Sequence, residues 1–207
     1  MRAVKAASGK KNARAKLFRI KVISMGDSGS GKSCLIKRYC EEKFVSKYIP
    51  TIGVDYGVKP NKYNDYEVRV NLWDLAGAPD YAEVRNEFYK EAQGCVLVYD
   101  VTNRASFESL ESWLEESRRY GAENMVIFVA AAKTDQPVRK VFEKEGREWA
   151  QSKGFPFYEV SASSGAGVKA LFTSLFARIL ATVPGIPEEL TALAVQQANT
   201  ARGEETG

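Results

Sequence analysis

The stretch MGDSGSGKSCLIKRYC at residues 25–40 places small residues ahead of a lysine, directly after the apolar run FRIKVIS. It matches G-x-x-x-x-G-K-[ST] as Gly26, Gly31, Lys32 and Ser33, with a strand pattern before it and a helix pattern after it, the context in which this motif carries meaning. The chemistry explains the residue types. Small side chains at Ser28, Gly29, Ser30 and Gly31 let backbone N–H groups curl around phosphate oxygens, within a loop running from Asp27 to Cys34. A helix starting near Lys32 adds its positive end to the same place. Lys32 supplies a compact charge for terminal phosphates, and the Ser33 hydroxyl is a candidate ligand for Mg²⁺, which favours oxygen. The pattern marks a phosphate-binding loop but leaves the base open, because ATPases, nucleotide kinases and guanine-nucleotide switches share it.

Outward from this loop, strand and helix patterns alternate. FRIKVISM reads as a strand and KSCLIKRYCEE as a helix. TIGVDYGVKP and YEVRVNLWD read as two strands joined by a turn at NKYND, with Val68, Val70 and Leu72 alternating against Arg69 and Asn71. GCVLVYDV and NMVIFVAAA are continuous apolar runs, the mark of strands covered on both faces. SFESLESWLEESRRYG and RKVFEKEGREWAQSKG read as helices, PFYEVS as a strand, and VKALFTSLFARILATV as an amphipathic helix. The alternation predicts an α/β domain: a six-stranded, mostly parallel sheet with one antiparallel edge strand and helices on both faces. Pro184 and Pro187 mark the end of this body, and residues 184–207 read as a tail with a short helix followed by disorder.

A chain of 207 residues fits one domain with tails, and its 44% apolar and 27% charged content is ordinary for a globular protein. Residues 1–16 form a basic arm without the apolar core of a secretory signal. Eight Lys or Arg and no acid fall within the first 21 residues, which leaves 22 basic against 26 acidic residues elsewhere. Such an arm suits anionic lipid, nucleic acid or an acidic partner, or is a solvated tail. Cys34, Cys40 and Cys95 show no pairing or zinc spacing, which fits a reduced cytoplasmic compartment, or a nuclear or transiently membrane-associated one. The absence of histidine excludes every mechanism that needs a histidine base or metal ligand.

Four further stretches point to guanine. Asp74 and Gly77 form D-x-x-G at a strand end, with Asp74 placed to hold the metal through water and Gly77 to reach a γ-phosphate. Thr51, in PTIG, offers a second hydroxyl to Mg²⁺. Asp135, in the KTD of residues 133–135, is a carboxylate able to pair with the two N–H donors of guanine, and SAS at Ser161, Ala162 and Ser163 can present backbone N–H to the guanine O6. D-x-x-G, KTD and SAS each follow a predicted strand, where α/β sheets bind their ligands, and PTIG lies between the first helix and the hairpin. Together these motifs resemble the Ras superfamily of small GTPases, and within it the Rab branch. WDLAG resembles the Rab WDTAG, and RIKVISMG, GKSCLIKRYCEEKFVSKY, TIGVDYGV and EVRNEFYKEAQG are very similar to the Rab-like proteins that carry a DnaJ domain. The resemblance spans residues 17–183; no His-Pro-Asp of a DnaJ domain occurs, so the chain reads as a truncation or as a form without that domain.

The resemblance implies a P-loop small-GTPase fold, Mg²⁺ with GTP or GDP, and a monomer that meets effectors through its switch regions and an exchange factor. It implies that Phe44 stacks on the guanine, Lys133 supports it, Tyr48 closes over the γ-phosphate, and Tyr56, Trp73 and Phe88 form an effector face. Lys32, Thr51 and Gly77 would carry the catalytic γ-phosphate contacts. Two positions depart from the pattern. Ala78 stands where a glutamine orients the attacking water, and Ala132 where an asparagine donates to guanine N7, a loss of about 1–3 kcal/mol. The given sequence ends RGEETG with no cysteine after Cys95, so the prenyl anchor of most Rab proteins is not expected. Three readings stand: a slow, mostly GTP-bound switch, a binding module with a structural nucleotide, and an ATP-using kinase.

Overall fold

The computed structural model describes residues 15–47, 49–122 and 124–206, with side chains to residue 204. Residues 1–14 of the basic arm and Tyr48 lie outside the described residues.

Six strands form one sheet: β1 (Lys16–Met25), β2 (Val54–Tyr63), β3 (Tyr66–Leu75), β4 (Gly94–Asp100), β5 (Val126–Ala132) and β6 (Phe157–Val160). Their order is β2-β3-β1-β4-β5-β6. β2 pairs antiparallel with β3, Tyr63 opposite Tyr66, and every other pairing is parallel. The turn is tighter than NKYND implies, because only Asn64 and Asp65 lie outside the ladder; Asn64 takes a φ of 48°, which asparagine tolerates.

Strand alternation sorts the core into two layers. Val22, Val70, Val96, Val98 and Phe128 face α1 (Lys32–Glu41) and α6 (Val168–Thr182). Ile23, Met25, Leu97, Tyr99 and Val129 face α4 (Leu110–Arg119) and α5 (Glu143–Ser152). The remaining helices on the chain before α6 are α2 (Ala82–Tyr89), for which the sequence carried no helix assignment, and α3 (Arg104–Glu108), which separates from α4 at Ser109. Because β1, β3, β4, β5 and β6 run parallel, their carboxyl ends share one rim, and the loops after them converge there.

The segment expected to be a tail is instead α7 (Glu188–Thr206), a helix of 19 residues packed on α6. Leu190, Ala194, Ala198 and Ala201 are its buried stripe. Alanines bury little area each, so the stripe gives a weak periodic signal, yet they permit close helix approach. Polar ties add to it: Tyr66 Oη donates to Glu189 (2.9 Å), Arg202 donates to Ser174 (3.1 Å) and Tyr158 (2.7 Å), and Lys169 pairs with Glu204 (2.7 Å). For the same reason α6 is not amphipathic: Val168, Ala170 to Ala177, Ile179 and Leu180 are all buried. No described helix is long and apolar enough to cross a membrane.

Candidate nucleotide site

The rim encloses a cavity of about 340 Å³ whose lining runs from Lys32 and Gly77 at one end to Asp135 and Ser163 at the other. The loop between β1 and α1 shapes the first end. Gly26 has a φ of 135°, and a Cβ there would stand 2.1 Å from the Val98 carbonyl oxygen, so no other residue fits. Gly77 presses on the same loop from outside: its Cβ would stand 2.3 Å from the Ser28 nitrogen. Gly31 caps α1 in the left-handed region. Lys32 is buried and its Nζ donates to the carbonyls of Gly26 (2.8 Å) and Asp27 (3.0 Å). Burial pushes its ammonium down to about 8, against the pull of the Asp74 and Asp27 carboxylates.

The predicted metal ligands converge. Ser33 Oγ donates to Asp74 Oδ2 in a very short contact, Thr51 Oγ1 lies 3.0 Å from Ser33 Oγ and 3.2 Å from Asp74 Oδ2, and Ser24 Oγ donates to Asp74 Oδ1 (2.8 Å). Two hydroxyls and a carboxylate within hydrogen-bond reach of one another, next to Lys32, form a donor set of hard oxygens that fits Mg²⁺.

Other predicted residues have different placements. The Asp27 side chain faces away from the cavity, where its carboxylate accepts from Trp113 Nε1 (2.8 Å) and Ser109 Oγ (2.7 Å). Ser30 is buried beneath the loop, its N–H bonded to the Asp27 carbonyl (3.2 Å) and its hydroxyl without a partner among the described residues. Cys34 lines the cavity half-buried, and burial raises its thiol. Ala78 is extended; its side chain is a methyl group only, and its carbonyl accepts from Arg85 (2.7 Å) and from the Tyr81 N–H (3.2 Å).

That arginine is a functional candidate the sequence reading missed. Arg85, on α2, is 5% exposed. It donates to the carbonyls on both sides of Gly77, Ala78 at 2.7 Å and Ala76 at 3.4 Å, and bidentately to Glu116 at 2.6 and 2.7 Å. Tyr89 Oη also donates to Glu116 (2.6 Å), and the guanidinium lies 4.6 Å from the Trp113 ring centre. Burial raises the Glu116 carboxyl, but the hydrogen bonds from Arg85 and Tyr89 outweigh it and hold the group below its usual value. In the sequence a buried arginine looks like any exposed one on a helix.

At the other end Phe44 is half-exposed over the cavity. Lys133 adopts a φ of 66° and pairs with Asp100 (2.6 Å). Asp135 accepts from Ser161 Oγ (2.7 Å) and Gln136 Nε2 (2.8 Å), and the Ser161 bond, the largest cause, holds its carboxyl below the usual value. Among the described residues no hydrogen bond takes the N–H of Ala162 or Ser163, although both residues line the cavity. Ala162 is buried and Ser163 exposed, and amide donors without a protein partner beside a cavity suit a ligand acceptor such as a base carbonyl. Ala132 is buried at the end of β5, its methyl 3.5 Å from where a Gly31 Cβ would stand. Tyr56, Trp73 and Phe88 lie ring to ring at 4.4 and 4.9 Å, with Tyr56 half-exposed and Trp73 and Phe88 partly buried against the core layer under α4 and α5.

The sequence profile described as the Ras family matches residues 21–181. The chain belongs to the Ras family. Curated Ras-family relatives include the "DnaJ homolog subfamily C member 27" of Danio rerio, 46% identical over 204 residues, covering 93% of this chain and 75% of that protein. The protein of that name from Mus musculus is 49% identical over 177 residues (83% of this chain, 65% of that one), and the Homo sapiens one 50% over 169 (79% and 62%). The chain thus spans between about 60% and 75% of the length of these relatives. The Rab-like, DnaJ-associated resemblance and the Ras-like sheet order are borne out.

Proposed function

We propose that this Ras-family domain is a Rab-like guanine-nucleotide switch that binds GTP with Mg²⁺, hydrolyses it very slowly and spends most of its time GTP-bound. One observation carries the reading. The hydroxyls of Ser33 and Thr51 and the Asp74 carboxylate lie within hydrogen-bond reach of one another, with the buried Lys32 ammonium near Asp74, while Ala78 has no side-chain group to hold a water.

The residues divide the work. The loop N–H groups and Lys32 take the phosphates. Ser33 and Thr51, with Asp74 through water, would hold Mg²⁺, which neutralises charge on the phosphate oxygens when bound. Gly77 presents its N–H to the γ-phosphate, and Phe44, Asp135 and the Ala162–Ser163 amides take the base. Tyr48 completes the phosphate site in this reading. Hydrolysis then needs a water in line with the γ-phosphorus, and positioning is most of what a protein contributes to this reaction. Without a glutamine the rate falls below the ~10⁻⁴ s⁻¹ intrinsic rate of Ras, a relative of this chain. The Tyr56, Trp73 and Phe88 patch takes effectors, an exchange factor reloads the site, and the monomer works in the cytoplasm.

A second reading, a binding module whose nucleotide is structural, draws on Ala132 and on the Arg85–Glu116 pair that ties the Gly77 segment to α4. Single-turnover hydrolysis decides. The parent should retain GTP far longer than an Ala78→Gln variant, and purified protein should release mainly GTP on denaturation. Parent hydrolysis as fast as the glutamine variant would overturn the slow-switch reading, and GTP held unchanged by both would favour the structural nucleotide.

A further inference from the structure

We infer that Arg38, on the last turn of α1, is the positioning residue that sets base selectivity, acting from behind the loop that reads guanine. The inference rests on the guanine reading above.

Arg38 lies outside the cavity lining, yet its guanidinium holds three carbonyls. Nε donates to Ala162 (2.6 Å), one terminal nitrogen to Ser163 (2.7 Å) and the other to Glu42 (2.9 Å). The Glu42 bond anchors the guanidinium to the end of its own helix. The other two bonds fix two successive peptide planes after β6.

A trans peptide is planar, with its C=O and N–H pointing opposite ways. Gripping the Ala162 carbonyl therefore aims the Ser163 N–H away from Arg38, and this is one of the two amides with no partner among the described residues. Gripping the Ser163 carbonyl likewise sets the Ser164 N–H, which donates to Ser161 Oγ (3.0 Å). With that lone pair occupied, the Ser161 hydroxyl donates to Asp135 Oδ1 (2.7 Å). One side chain thus orients both halves of the base site: the amide for the O6 edge, and, through Ser164 and Ser161, the carboxylate for the two N–H donors. A planar fork with five donors can do this; an ammonium, a single point charge, cannot hold both planes at these angles.

The test compares three diphosphates on the full chain by competition with a fluorescent GDP: GDP itself, the 2-aminopurine analogue, which lacks O6 and with it the N1–H, and IDP without the 2-amino group. The parent should prefer GDP to each analogue by tenfold or more. Arg38→Ala should weaken GDP about tenfold while changing the analogues less than threefold, so that both ratios collapse. Arg38→Lys, which keeps charge and stem, should lose at least threefold of each ratio, and it carries the test if the alanine variant does not fold. Equal weakening of all three diphosphates would show a merely structural role and overturn the inference, as would unchanged ratios. A parent that does not discriminate among the three would instead overturn the guanine reading, and this inference with it.

Discussion

The two ends of the cavity have each lost one polar side chain to alanine, but they differ in what surrounds the loss. At the phosphate end Ser24, Ser33, Thr51 and Asp74 bond to one another, and Arg85 fixes both carbonyls flanking Gly77. Ala78 therefore removes a reactive function from a framework that is otherwise tied. At the base end Asp135 is exposed, and the loop beside it is held from behind, by Arg38 on the Ala162 and Ser163 carbonyls and by Ser164 and Ser161 in series, while the Ala162 and Ser163 amides have no partners among the described residues. On the proposed reading Ala132 therefore removes a direct contact to the base from a loop that is itself held from behind. The same substitution type should slow chemistry at one end and loosen binding at the other.

The largest effect expected is at the phosphate end. Arg85→Ala leaves Glu116 partly buried without its partner, and breaking a buried pair costs about 3–5 kcal/mol. Because the Glu116 side chain is 23% exposed, the lower part of that range is expected, read as a lowered urea midpoint. A loss under about 1 kcal/mol would show that the Gly77 segment is not held by this clamp.

Next comes the pH dependence of Lys32. Folding lowers this ammonium from 10.5 to about 8, so the unfolded chain binds more protons between these values. The free protein's stability should then rise with pH from about 8 towards 10.5, by about 3 kcal/mol at most. A phosphate favours the charged form, so nucleotide affinity should fall up to tenfold per pH unit above about 8. Comparing parent with Lys32→Met isolates the effect, and parallel profiles for the two would remove Lys32 as its source.

The smallest effect is at the base end. Ala132→Asn restores one net hydrogen bond and should tighten GDP roughly tenfold, about 1.4 kcal/mol, measured by equilibrium competition. If it tightened GDP no more than Ala78→Gln does, the contrast between the two ends would fail.

The fold was legible where periodicity and special residue types coincide. The Gly26–Ser33 motif, the alternation of Val68, Val70 and Leu72, and the unbroken run of β4 each have one physical solution, and the sheet follows from them. Ser33 was legible from the loop motif, Asp74 from a predicted strand end and Thr51 from its place between the first helix and the hairpin, and the structure brings the three within hydrogen-bond reach. Arg38 and Arg85 were not, because their roles depend on carbonyls more than a hundred residues away for Arg38 and on burial against α4 for Arg85. Asp27 adds what the motif does not carry: the direction of its side chain is set by Trp113 and Ser109. α7 was misread because its buried stripe is mostly alanine, set among Gln, Asn and Thr.

α7 also bears on solubility. Trimming the chain to the span of the family resemblance, at residue 183, would strip the cover from Lys169, Ser174 and the Leu180 carbonyl, which Glu204, Arg202 and Thr191 meet. The outer side of α6, apolar along much of its length, would then face water as a sticky patch of the kind that drives self-association. A shortened protein should precipitate or elute as aggregates while still carrying every motif of its nucleotide site.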